Sequence, residues 1–191
     1  FLQVVHQETG HAFPNDVYQQ LELAIQAVFN SWEGKRAIDY RHEFHITPEI
    51  ANGTAVNIVT MVFGNMGDDC ATGVGFTRNP STGADELFGE YLINAQGEDV
   101  VAGIRTPKPV HEMAQEMPSQ YRQLLGLRDK LEAHYHEVQD FEYTIERGVL
   151  YCLQTRKAKM NAAAMVKTSL DMVKNGLINK SQALLRINPE I

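Results

Sequence analysis

Four polar side chains near the end of the sequence have the chemistry to hold a divalent cation and phosphate oxygens. They are Asp140, Glu142, Gln154 and Arg156. Carboxylate and amide oxygens are the ligands that Mg²⁺ prefers, and a guanidinium presents a planar fork that matches a phosphate group. If these side chains share one surface, they suit phosphoryl transfer, in which positioning and neutralisation of charge supply most of the catalysis.

The residue pattern from 139 to 156 predicts a β-hairpin that brings these side chains together. Apolar residues occupy odd positions on both sides of a turn, namely Phe141, Tyr143, Ile145, Val149, Tyr151 and Leu153. This alternation is typical of strands with one buried face. Keeping each face uniform requires a loop of odd length, which predicts a three-residue loop at 146–148 that ends in glycine. Ile145 then pairs with Val149, and Asp140 lies opposite Gln154.

Two interpretations of the polar face remain open from the pattern alone. In one, Glu142 and Gln154 supply oxygens to a metal, Arg156 holds phosphate, and Asp140 orients a ligand or a second ion. In the other, the face is simply solvated, because half-buried sheets commonly carry one polar face.

Length, composition and charge limit the classes of protein that fit. The chain has 191 residues, of which 43% are hydrophobic and 21% charged, as in ordinary globular domains. Its net charge of −7 lacks the basic footprint of a nucleic-acid-binding protein. No apolar run approaches the roughly 18 residues of a membrane span. We therefore expect neither nucleic-acid nor membrane partners, and we expect Cys70 and Cys152 to be reduced in a cytoplasmic setting.

The remaining patterns predict the elements that would position the hairpin. Asn15 or Asp16 can cap a helix that begins at Val17, and a second short helix is predicted at 35–42. Strands are predicted at 54–63, 76–77, 88–93 and 99–102. A helix begins at Pro118, and two more helices follow the hairpin, separated near residues 175–176. These elements predict an α+β fold in which helices cover a mixed or antiparallel sheet.

Several segments, in order, resemble the pyruvate, phosphate dikinase family. They are TMVFGN at 60–65, TGVGFTRNPSTG at 72–83, GEYLINAQGEDVV at 89–101, QDFE at 139–142 and LQTR at 153–156. In that family the region belongs to an ATP-grasp domain. The resemblance implies the C-terminal portion of such a domain. It divides the chain into a helical segment at 1–50, a subdomain at 51–157 with the hairpin, and a helical linker at 158–191.

The resemblance also implies a role for particular residues. Glu142 and Gln154 match the Mg²⁺ ligands, Arg156 matches a phosphate contact, and Asp140 matches an active-site carboxylate. The implied nucleotide contacts are Thr60, Met61 and Val62 along the adenine, Thr72 and Gly73 in a loop close to the phosphates, Glu98 near the ribose, and Arg156.

The family reaction converts ATP, phosphate and pyruvate to AMP, diphosphate and phosphoenolpyruvate through a phosphohistidine. The resemblance implies that the front grasp lobe, the phosphohistidine domain and the pyruvate-binding barrel lie outside this sequence. It also implies a cytoplasmic, homodimeric enzyme, and a fragment that is inactive alone. The alternatives are a dikinase similar to phosphoenolpyruvate synthase, which differs in its dependence on phosphate, and a non-catalytic interaction module that retains the fold.

Overall fold

The computed structural model describes residues 1–101 and 105–187, which divide into two units after Thr60. The first unit is helical and contains α1 (Leu2–Thr9), α2 (Val17–Asn30) and α3 (Lys35–Glu43). Asp16 Oδ1 accepts the backbone N–H groups of Tyr18 and Gln19, which confirms the predicted cap of α2. The short helix predicted at 35–42 is confirmed as α3.

The second unit combines one sheet with helices. Its elements are β1 (Ala71–Phe76), β2 (Phe88–Ile93), α4 (Gly97–Val101), β3 (Lys108–Pro109), α5 (Met113–Glu116), α6 (Pro118–Tyr135), β4 (Gln139–Glu146), β5 (Val149–Lys157), α7 (Ala162–Lys174) and α8 (Lys180–Arg186). The strand order is β3-β2-β1-β4-β5, and all neighbours are antiparallel. The predicted α+β architecture is confirmed. None of the helices in these ranges is long and apolar enough to cross a membrane.

One face of the sheet forms the larger core with α5 and α6. Its largest buried side chains are Tyr91, Met113, Leu124, Phe141, Tyr143 and Ile145. Gly73 lies under Tyr143, where an added Cβ would stand 2.6 Å from the ring. Glycine is therefore required at this point of β1, because any side chain would displace the ring. A smaller core joins α7 and α8 to Val138.

A buried ion pair connects the end of β1 to the helices. Arg78 is 2% exposed, and its Nε donates to both carboxylate oxygens of Glu132 on α6, at 2.9 and 3.0 Å. A terminal nitrogen of Arg78 also lies 3.8 Å from Asp171 on α7. The buried Arg78 side chain thus links the loop after β1 to α6 through Glu132 and to α7 through Asp171.

Two of the predicted strands are wrong, and a third is incomplete. Residues 54–63 form no strand in the described structure and pair with none of β1 to β5, because a β-favouring composition forms a strand only where a neighbouring strand pairs with it. Residues 97–101 form α4, at whose start Asp99 Oδ2 accepts the Gln96 N–H at 2.8 Å, as an N3 side chain does in a capping box; Ala102 lies outside the described residues. The strand predicted at 76–77 is instead the end of β1, which begins at Ala71.

Candidate functional site

The hairpin of β4 and β5 is confirmed, but its turn differs from the prediction. Arg147 and Gly148 have φ values of 49° and 76° and form a two-residue turn, so that Glu146 pairs with Val149. The predicted three-residue loop is therefore wrong. The additional residue lies in a β-bulge at Leu153, which is skipped between the pairs Glu142–Gln154 and Tyr143–Cys152.

The bulge determines which side chains meet. Asp140 lies opposite Arg156, and Glu142 lies opposite Gln154, so the predicted pairing of Asp140 with Gln154 is wrong by two residues. The alternation still places all four side chains on the sheet face opposite the buried aromatic rings. We call this surface the polar face; it is formed by Asp140, Glu142, Thr144 and Glu146 of β4 with Gln154 and Arg156 of β5.

Between the turn and the bulge, the apolar residues of β5 do not lie in the core, which contradicts the predicted alternation. Val149 and Tyr151 pair with Glu146 and Thr144 and lie on their side of the sheet, 52% and 43% exposed. Leu150 packs against the core in their place. The odd positions of β5 change sides at the bulge, because one skipped residue reverses the alternation.

An ion pair lies at the end of the polar face that is distant from the turn. Arg156 Nε donates to Asp140 Oδ2 at 2.8 Å. This hydrogen bond and the charge of Asp140, with a further contribution from Glu142, raise the pKa of Arg156, so the guanidinium is cationic at any working pH. The Arg156 side chain is 61% exposed. Its terminal N–H groups can therefore bind a second anion, such as phosphate.

Glu142 and Gln154 are suited to a hard cation. Directly opposite residues in an antiparallel pair have Cβ atoms about 5 Å apart, so a carboxylate oxygen and an amide oxygen can reach the same ion. Within residues 1–101 and 105–187, no three His, Cys, Asp or Glu side chains converge as a metal cluster. A cation at this pair would complete its coordination with water and phosphate oxygens, as Mg²⁺ commonly does.

The structure places Thr72 and Gly73 in β1 rather than in a loop. Thr72 pairs with Thr144 on the side of the polar face but is 3% exposed, and its hydroxyl donates to the Tyr143 carbonyl at 3.2 Å. Gly73 faces the core beneath Tyr143. The implied phosphate loop is thus corrected to a strand, because aromatic rings on β4 need the glycines of β1 beneath them.

The predicted base and ribose contacts lie outside the sheet. Thr60 ends the first unit and Met61 begins the second. Met61 is 66% exposed, and the Phe63 N–H donates to Glu146 Oε2 at 2.7 Å, which brings residues 61–63 to the turn end of the polar face. Glu98 is exposed in α4, which contacts β1 and β2.

Sequence reasoning missed Glu146, which it assigned to the turn. The signal was present, because Glu146 continues the even-numbered polar series from Asp140. Both cysteines are free: Cys70 is buried, and its Sγ accepts the Arg147 N–H at 3.2 Å, whereas Cys152 is exposed.

Comparisons with a family model and with individual proteins both point to pyruvate, phosphate dikinases. The family described as "Pyruvate phosphate dikinase, AMP/ATP-binding domain" matches residues 3–118. The chain is 62% identical over 192 positions to the pyruvate, phosphate dikinase of Entamoeba histolytica, covering 100% of this chain and 22% of the relative. It is 51% identical over 178 positions to that of Clostridium symbiosum, covering 93% and 20%. The chain therefore spans about a fifth of the length of these relatives.

Proposed function

Because this chain belongs to the pyruvate, phosphate dikinase family, we propose that it supplies the metal- and phosphate-binding part of a nucleotide site. The enzyme would convert ATP, phosphate and pyruvate to AMP, diphosphate and phosphoenolpyruvate. One observation carries the proposal: the cross-strand pairs Asp140–Arg156 and Glu142–Gln154 adjoin on one face of the hairpin. Two carboxylates, an amide oxygen and a guanidinium there suit a cation and a triphosphate together.

Each of these side chains has a separate task in the proposal. Glu142 and Gln154 would hold Mg²⁺, which would neutralise charge on the outer phosphates of ATP. Arg156 binds phosphate oxygens through its terminal N–H groups. Asp140 holds the guanidinium by its Nε and so orients it toward the phosphates.

The remaining nucleotide contacts are proposed from the family to which the chain belongs. Thr60, Met61 and Val62 would lie along the adenine, for which Met61 offers an exposed apolar side chain. Thr72 and Gly73 would lie near the phosphates because their strand, β1, pairs with β4. Glu98 would lie near the ribose. The set comprises Thr60, Met61, Val62, Thr72, Gly73, Glu98 and Arg156.

The proposed activity requires domains beyond this sequence. These are a front grasp lobe, a phosphohistidine domain and a pyruvate-binding barrel, which agrees with the chain spanning about a fifth of its relatives. We propose that the chain alone transfers no phosphoryl group. The complete enzyme would be a cytoplasmic homodimer that uses ATP, phosphate and pyruvate.

An exchange of segments tests the proposal. The test uses a chimera of the Entamoeba histolytica relative, in which this chain takes the place of the segment to which it is 62% identical. Glu142→Ala in that chimera should abolish formation of AMP and diphosphate, while isotope exchange between pyruvate and phosphoenolpyruvate continues unchanged. If both half-reactions remain normal in the variant, Glu142 is not part of the nucleotide site.

The same chimera separates the alternative activities. A dikinase similar to phosphoenolpyruvate synthase would release phosphate and would not require phosphate as a substrate. A non-catalytic interaction module would leave the chimera unable to bind Mg-ATP. Dependence of turnover on phosphate, with diphosphate as the product, is the result expected for the proposed function.

A further inference from the structure

We propose that Glu146 is a positioning residue that holds segment 61–63 against the hairpin, and so fixes the nucleotide base relative to the metal-binding strand. The inference rests on the proposed function. Its starting observation is the hydrogen bond from the Phe63 N–H to Glu146 Oε2, 2.7 Å long, between residues 83 positions apart. A carboxylate that accepts a backbone N–H forms one of the stronger hydrogen bonds of proteins.

Glu146 is itself firmly placed, because the adjoining turn is anchored on several sides. The Gly148 N–H donates to the Asp69 carbonyl at 2.9 Å. The Arg147 N–H donates to Cys70 Sγ at 3.2 Å, and the Gln120 side chain donates to the Gly148 carbonyl at 2.7 Å. The carboxylate therefore extends from a firmly held turn, and it fixes the position of the Phe63 N–H that it binds.

The segment that Glu146 holds has few other attachments. Its C-terminal end is fixed where the Ala95 N–H donates to the Gly64 carbonyl at 2.9 Å, in a place where a Cβ on Gly64 would meet the Ala95 oxygen at 2.4 Å. Between residues 52 and 63, the bond to Glu146 is the one hydrogen bond found in the described part of the chain. Loss of Glu146 would therefore remove the hydrogen bond that holds residues 61–63 against the hairpin.

The order of residues on β5 indicates which end of a nucleotide lies near Glu146. Near the turn, the exposed residues are the apolar Val149 and Tyr151; beyond the bulge they are Gln154 and Arg156. An aromatic base suits the apolar end, and phosphates suit the charged end. Glu146 lies four residues, or about 13 Å, along the strand from Glu142, which places the two ends of the ligand at two separate anchors.

Glu146→Ala should reduce the part of the binding free energy that comes from the base and leave the part that comes from the phosphates unchanged. In the chimera, calorimetry should show an affinity for Mg-ATP about tenfold lower, with the affinity for Mg-tripolyphosphate unchanged. Glu146→Gln keeps an oxygen acceptor at the same place and should recover most of the affinity for ATP. Glu33→Ala, which removes an exposed carboxylate from the first unit, is the matched control and should behave as the unaltered chimera.

Hydrogen exchange at the Phe63 amide measures the attachment independently of any ligand. In this chain, exchange should be about tenfold faster in Glu146→Ala and close to normal in Glu146→Gln. The inference is overturned if Glu146→Ala binds Mg-ATP normally, loses ATP and tripolyphosphate equally, or is not improved by glutamine. An unaltered chimera that binds no Mg-ATP rejects the proposed function itself, and the inference with it.

Discussion

Asp140 and Arg156 lie directly opposite each other on β4 and β5, and Arg156 Nε donates a 2.8 Å hydrogen bond to Asp140 Oδ2. Because the bond uses Nε, it fixes the plane of the guanidinium while both terminal nitrogens stay available to an anion. In this geometry Asp140 can orient the positive charge of Arg156 toward a bound anion.

Asp140→Ala should lower the affinity for Mg-ATP by about tenfold, because Arg156 loses the partner that orients it. The urea midpoint should change little, since the pair lies at the surface, where ion pairs contribute little to stability. Arg156→Lys keeps the charge but not the planar fork and should weaken binding similarly. Calorimetry of both variants in the chimera checks this prediction, and an unchanged affinity in Asp140→Ala would contradict it.

The face of the hairpin could be predicted from sequence, but its register could not. The side on which Asp140, Glu142, Gln154 and Arg156 lie depends on the two-residue period within each strand and on whether the number of unpaired residues between the strands is odd or even. A three-residue loop and a two-residue turn with a one-residue bulge both leave an odd number of unpaired residues between the two strands, and so place the same side chains on the same face. The pattern could not distinguish them, so the bulge at Leu153 was missed.

Elements that depend on distant partners were predicted less well. Residues 54–63 have the composition of a strand, but strand formation requires a neighbouring edge that composition does not reveal. Gly73 looks like part of a loop until the ring of Tyr143, 70 residues later, is seen to cover it. The local cap at Asp16, by contrast, was predicted from neighbouring residues alone and is confirmed.

Two glycine substitutions should have opposite effects on stability. Gly73→Ala places a Cβ 2.5 Å from the Glu90 carbonyl oxygen and 2.6 Å from the Tyr143 ring, so the free energy of unfolding should fall by about 2–4 kcal/mol. Gly126→Ala lies inside α6 with nothing within 4 Å of the new atom and should raise it by about 0.5–1 kcal/mol. Urea denaturation measures both, and equal effects would show that β1 does not pack closely under Tyr143.

The buried ion pair predicts a large and non-additive effect. Glu132→Ala leaves Arg78, 2% exposed, without the carboxylate that accepts its Nε, and should cost about 3–5 kcal/mol of stability. The double variant Arg78→Met and Glu132→Leu removes both charges and should be less destabilised than Glu132→Ala. Asp129→Ala on the same helix, whose side chain is 74% exposed, is the control. Strict additivity in a double-mutant cycle of Arg78→Met and Glu132→Leu would exclude the coupling.

Two buried tyrosines predict a loss of stability in alkali. Burial raises the pKa of Tyr143, and burial with the hydrogen bond to Glu116 raises the pKa of Tyr91. The unfolded chain releases both protons near pH 10 while the folded chain keeps them. The free energy of unfolding is therefore independent of these groups below about pH 10 and falls above it.

Denaturation between pH 8 and pH 11 checks the sign and the source of this effect. Tyr143→Phe should have a shallower decline above about pH 10. It should cost little at neutral pH, because the Tyr143 hydroxyl has no hydrogen-bond partner in the described structure. If the free energy of unfolding of Tyr143→Phe falls above about pH 10 as steeply as that of the unaltered chain, groups other than Tyr143 cause the effect.

Oxygens of Glu142 and Gln154 are proposed to hold a metal that helps bind a triphosphate. Calorimetry of ATP binding with and without Mg²⁺ tests this role most directly. In the chimera, Mg²⁺ should strengthen ATP binding, and the double variant Glu142→Ala and Gln154→Ala should abolish that gain while residual, metal-independent binding through Arg156 remains. An undiminished gain from Mg²⁺ in the double variant would contradict the account.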